Sequence, residues 1–193
     1  MESLNVRKLA RVLMVLVTIV FVCNLIALFF VPGMALLQGE EELLTELTTY
    51  ENPLELPLRL LVFFAHCWNW LLWLLLDNPY KVVLAAFLMF CGICTAVMLW
   101  QARKVLGTIC VRSPFCTENA VRLRRAAVCC FLISAAALVR TCIGFVLLGD
   151  IRPLLTYNAL FCPIFLLAGL LCMVMSALFR QAAELKAEND LTI

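Results

Sequence analysis

Histidine is nearly absent from this chain, with one residue, His66, in 193. That removes the zinc sites and catalytic centres that need two imidazoles, and no serine or acidic residue is spaced to orient His66 as a base. His66 and the adjacent Cys67 would point about 100° apart on a helix, so they do not form a nucleophile–base pair. Charge is also scarce: 15% of residues are charged, against roughly 25% in an ordinary soluble domain. The net charge of +2 argues for no direct contact with nucleic acid, and neither a helix-turn-helix pattern nor an aromatic platform is present to make one. A second CxxC is missing as well. Cys91-Gly-Ile-Cys94 stands alone inside an apolar run, so no metal site is expected.

Apolar residues are abundant, at 65% of the chain with a mean hydropathy of +1.02. They come in blocks long enough to cross a hydrocarbon core, which takes roughly 20 helical residues. Four blocks qualify, at about 12–34, 82–101, 126–148 and 159–179. The expected fold is a single all-α membrane domain, a polytopic four-helix bundle. The opening "MESLNVRKLAR" looks like the basic n-region of a signal peptide. The apolar core after it exceeds the roughly 7–15 residues of such a peptide, so it is read as a retained anchor. A fifth run, Leu60 to Leu76, is shorter and carries Trp68, Trp70 and Trp73. Trp favours the membrane–water boundary, so this run is expected as an interfacial or re-entrant helix in an outer segment, 35–79. That segment is acidic, with Glu40-Glu-Glu42 read as a solvated loop.

Lys and Arg favour the cytoplasmic side of a span. With four spans and the N-terminus inside, the inner segments hold Arg7, Lys8, Arg11, Arg103, Lys104, Arg112, Arg122, Arg124, Arg125, Arg180 and Lys186. Only Arg59, Lys81 and Arg152 fall outside, and Arg140 lies within a span. Five spans would export one of the basic clusters. Both termini, an inner loop at 102–125 and a tail at 180–193 are therefore expected in the cytoplasm.

The loop contains "SPFCTENAVRLRR", from Ser113 to Arg125. Thr117 is placed to cap a helix with Glu118 in its first turn, running on into the third span. The tail "FRQAAELKAENDLTI" continues the fourth span as a helix to about Glu188, with Leu178, Ala182 and Leu185 on one face. The Pro114-Phe115, Thr117-Glu118-Asn119 and Arg122-Leu-Arg124 pattern, with the tail Glu188-Asn189-Asp190-Leu-Thr-Ile193, resembles an uncharacterised family of bacterial four-span membrane proteins. That family is domain of unknown function twenty-nine seventy-five. The resemblance implies a bacterial inner-membrane location and an association with small helix-turn-helix regulators. It supplies no catalytic residue and no cofactor. The Trp-rich outer segment and the 11 cysteines depart from it.

Most cysteines lie within apolar runs, where the residue packs as a small soft apolar group. Arg140 is the sharpest single residue, because a charge near mid-membrane costs about 2.5–3.5 kcal/mol on the insertion scale and usually faces protein or water. Asn24, Asn158 and Tyr157 are its candidate partners, and outward snorkelling is the alternative. Small residues from Ser134 to Ala137, with Gly92, Gly144 and Gly169, favour close helix packing.

Three functional readings follow. The first is a non-enzymatic regulatory protein that docks a cytosolic partner through Pro114, Phe115, Thr117, Glu118, Asn119, Arg122, Arg124, Glu188, Asn189 and Asp190. The second is a small transporter or ligand sensor using Arg140. The third is a membrane thiol oxidoreductase, with Cys67, Cys91, Cys94 and Cys162 as its thiols. The sequence names neither a ligand nor an oligomeric state.

Overall fold

The computed structural model describes residues 2–37, 57–63, 65, 79–111, 115–149 and 157–191. Four long helices account for nearly all of them: α1 (Glu2–Leu37), α2 (Pro79–Val111), α3 (Thr117–Leu148) and α4 (Tyr157–Leu191). Residues 57–63 and 65 are also helical. Each long helix contains a stretch apolar and long enough to cross a bilayer, and no strand occurs among the described residues. The fold is an all-α membrane bundle. A backbone in lipid must satisfy its own polar groups, and a helix does so locally. Thr18, Thr95 and Thr141 conform to this rule: each hydroxyl donates to the carbonyl four residues back, at 2.7, 2.8 and 2.8 Å.

Most of the Trp-rich run lies outside the described residues, including His66, Cys67 and the three tryptophans. So do Pro114 and the acidic residues from Glu40 to Glu55.

The helices run well beyond the apolar blocks. Residues 102–111 continue α2 and 117–125 already belong to α3, so the expected 102–125 loop narrows to the residues between Val111 and Thr117. α3 ends at Gly149, whose φ of 61° is the left-handed cap conformation that favours glycine, and whose N–H bonds to the Phe145 carbonyl at 3.0 Å.

The residues fall into two units, Ile26–Phe90 and Met1–Leu25 with Cys91–Ile193. In the first, Leu84 and Ala85 are buried with Leu88 packed on them, and the Phe29 and Phe30 rings meet edge-to-face at 5.5 Å. The second holds the central packing. On α3, Ala120, Ala127 and Ser134 are buried at seven-residue intervals. On α4, Cys162, Gly169 and Ser176 recur at the same interval. The two sets meet antiparallel. Ser176 Oγ donates to the Ala120 carbonyl at 2.7 Å, and Ser134 Oγ donates to the Cys162 carbonyl at 2.8 Å. Between them, Gly169 lies against the Phe131 ring. Small side chains let the backbones approach until hydroxyls reach carbonyls across the interface, and a period of 3.5 keeps the stripe facing its partner. The opposite face of α4 is exposed and apolar, with Leu167, Leu171 and Val174 turned outward, as a lipid-facing surface requires.

Candidate functional site

The "TENAVR" segment is built into the molecule. Cys116, not Thr117, occupies the N-cap of α3, with extended backbone (φ −137°, ψ 147°) and no side-chain capping bond. Its carbonyl accepts from the Asn119 and Ala120 N–H groups at 3.0 and 3.5 Å. Thr117 is the first helical residue and is exposed. The sequence expectation is therefore off by one residue. Burial of Asn119 and Ala120 against the neighbouring helices sets the register, and local capping chemistry follows it.

Asn119 is completely buried. Its Oδ1 accepts from Thr108 Oγ1 of α2 at 2.9 Å and from Arg122 Nη1 at 3.2 Å. The Thr108 hydroxyl also lies 2.6 Å from the Val105 carbonyl, so its one proton is shared between two acceptors. Arg122 Nη1 reaches the Lys104 carbonyl of α2 at 3.1 Å, and Nη2 pairs with Glu118 Oε2 at 3.1 Å. A guanidinium presents several donors in a rigid plane, which suits it to hold acceptors from two helices at once. On the α4 side, the Phe115 and Phe179 rings lie 5.6 Å apart and Ser176 holds the Ala120 carbonyl. The ends of α2, α3 and α4 are thus tied together. Of the residues expected to dock a partner, Asn119 is closed to solvent and Arg122 is spent on internal bonds. Thr117, Glu118, Arg124, Glu188, Asn189 and Asp190 remain exposed.

α4 continues to Leu191 with an exposed Arg180–Glu184 ion pair at 2.9 Å. Leu178 and Leu185 are exposed apolar residues on this stretch, the second at 67%.

Farther into the helices, sulfur is concentrated. Cys94, Cys129 and Ile133 form a buried cluster, with Cys91, Met98 and Phe165 packed on it. The Cys130 thiol donates to Met98 Sδ at 3.2 Å. The described cysteines are free thiols, and among the described residues no group of three His, Cys, Asp or Glu converges on a common point. Arg140 is half-buried on α3. Asn24 Oδ1 is buried and accepts no hydrogen bond, so Arg140 does not donate to it. Asn158 lies in the first turn of α4. Gln101 Oε1 on α2 is a second buried oxygen without a partner.

Near the same end, the exposed Trp100 ring has Arg103 and Lys104 over it at 5.6 and 5.2 Å and Phe21 beside it at 5.7 Å. A groove of about 420 Å³ lies between α2 and α3, lined by Val97, Val121, Arg124, Arg125, Val128 and Cys129. In the sequence Arg124 and Arg125 read as orienting charges, and Arg124 as a docking residue; nothing there signals the apolar wall beside them, because Val97 comes from another helix.

The family model for a protein of unknown function, DUF2975, matches residues 72–193. That stretch contains α2, α3 and α4 whole, with the Asn119–Arg122 junction and the small-residue seam. The chain belongs to the DUF2975 family, and its four long apolar helices make it an integral membrane protein. Neither curated proteins nor solved structures give a match to it.

Proposed function

We propose that this is a non-enzymatic regulatory protein of the bacterial inner membrane, with both termini cytoplasmic, that docks a soluble partner on the projecting end of α4. A small helix-turn-helix regulator is the partner class the reading favours. The observation that carries it is the continuity of α4 through Leu191, well past the roughly 20 residues that a bilayer requires. Its last turns present Leu185, Glu188, Asn189 and Asp190 to solvent, and Ser176 and Phe179 root the helix to α3. An exposed leucine flanked by acidic and amide groups is the kind of surface a helical groove accepts. Asn119 and Arg122 serve this reading indirectly, by tying the start of α3, on which α4 is rooted, to the end of α2.

Co-purification of the full chain in detergent with a co-expressed helix-turn-helix regulator tests the proposal. Leu185→Asp and deletion of Ala187 to Ile193 are expected to abolish recovery of the regulator with membrane insertion unchanged. Undiminished recovery with both variants overturns docking at this tail.

A further inference from the structure

We infer that the groove between α2 and α3 binds one anionic phospholipid, with the phosphodiester headgroup on Arg124 and Arg125 and an acyl chain along Val97 and Val128. The inference does not depend on the docking reading and removes Arg124 from the docking surface.

The arginines at the start of α3 are used in two ways. Three lie within four residues on α3. Arg122 is committed to Lys104, Asn119 and Glu118. Arg124 and Arg125 are exposed and, among the described residues, have no hydrogen-bond or ion-pair partner. Both line the groove, one toward each side of its α3 wall, so an anion seated in the groove is within reach of two otherwise unpaired guanidiniums. A phosphodiester fits, because its oxygens accept parallel N–H bonds from the planar fork.

The apolar block of α3 begins directly after Arg125, at Ala126. The two charges therefore stand at the boundary of the hydrocarbon layer, at the level of lipid phosphates. Val128 lies one turn farther in on the face shared by Val121, Arg124 and Arg125, and Val97 supplies the facing wall from within the apolar block of α2. Buried Cys129 forms the floor. A free anion in solution would need the arginines but not the valines. An acyl chain would need the valines but not the arginines. A glycerophospholipid uses both, with Val97 and Val128 on the hydrocarbon side of the two arginines and Val121 beside the headgroup.

Arg103 and Lys104 lie over the Trp100 ring and do not line the groove. The groove thus carries its own pair of cations. Basic pockets between membrane helices are a recurring means of holding anionic lipid headgroups, and each basic residue near such a surface contributes about a fivefold preference.

The test uses the full chain in neutral detergent, with binding measured by native mass spectrometry of defined lipids. Dioleoyl phosphatidylglycerol is titrated against dioleoyl phosphatidylcholine. Wild type is expected to prefer the anionic lipid by roughly ten- to thirtyfold. Arg124→Gln with Arg125→Gln should reduce that preference to threefold or less. Val128→Trp should fill the groove and weaken binding of the anionic lipid with both charges intact. The Arg124→Lys, Arg125→Lys variant keeps the charges and should retain most of the preference. Inorganic phosphate at millimolar concentration should not displace the lipid. Three outcomes overturn the proposal: equal binding of the two lipids by wild type, an undiminished preference in the double Gln variant, or displacement by phosphate alone. The last would mark a plain anion site without an acyl groove. Arg180→Gln, which removes a paired charge distant in sequence from the groove, should leave the preference unchanged; an equal loss in that variant would reduce the effect to net charge and overturn the site.

Discussion

The Phe131 ring fills the space in which any side chain at position 169 would begin. A Cβ built on Gly169 would lie 2.7 Å from Phe131 Cε1 and 2.9 Å from Cδ1. The absent side chain of α4 is what lets the aromatic ring of α3 lie across the seam.

Gly169→Ala should therefore destabilise the α3–α4 pair by about 1–3 kcal/mol, the usual range for overpacking. Phe131→Leu should recover much of that loss in the double variant, because it removes the atoms in conflict. Thermal unfolding in detergent, followed by exposure of buried Cys129 and Cys130 to a thiol-reactive dye, reports both effects. An unaltered midpoint for Gly169→Ala would show that the ring moves aside freely.

Arg122 holds groups from two helices, so its loss should cost more than a surface ion pair. Arg122→Ala is expected to destabilise by about 2–3 kcal/mol, since hydrogen bonds to a charged group contribute about 1.5–3 kcal/mol. Arg122→Lys should recover only part of this, because an ammonium lacks the planar fork. Glu118 is 73% exposed in its side chain, and Glu118→Gln should change stability by less than about 0.5 kcal/mol. The same thiol-exposure melts rank the three variants, and equal effects for Arg122→Ala and Glu118→Gln would sink the assignment.

Gln101 Oε1 is buried without a partner, and such a group carries its desolvation cost uncompensated. Gln101→Met keeps the length of the side chain and removes the polar atoms. The expected outcome is a midpoint that rises, by about 1 kcal/mol of added stability. A lowered midpoint would mean that Gln101 is satisfied by a group such as lipid or water.

Topology is open to direct labelling. In a cysteine-free background, Glu41→Cys and Asp77→Cys should react with an impermeant thiol reagent on intact cells, and Thr192→Cys should react only after the membrane is opened. Labelling of Glu41→Cys and Asp77→Cys on opposite sides would add a fifth span, and the docking reading would have to be rebuilt around whichever motifs remain inside.

The four spans were legible because lipid imposes length and apolarity on any crossing helix, and these survive in composition alone. Family membership was legible in the "TENAVR" and "ENDLTI" segments. The role of Asn119 was not. A polar residue beside Glu118 and a run of arginines looks like solvated loop, and only the packing of α2 and α4 against α3 buries it. The same limit hid the heptad of Ala120, Ala127 and Ser134, whose counterpart of Cys162, Gly169 and Ser176 lies about forty residues later in the chain. Cysteine and glycine share no obvious chemistry with serine until size is the criterion. The lipid groove needed both helices in place, because neither valines nor adjacent arginines are informative singly.

The seam between α3 and α4 has a mechanical consequence. Its small residues repeat every seven positions, so it behaves as a toothed rail with a pitch of about 10 Å. A slip of one residue would rotate larger side chains into the contact by about 100°, and the next matching register is a full repeat away. The two helices can tilt or turn as a pair within the bilayer, but one cannot slide past the other like a piston. A displacement applied to the projecting end of α4 therefore reaches α3 undiminished, and through Arg122 the end of α2.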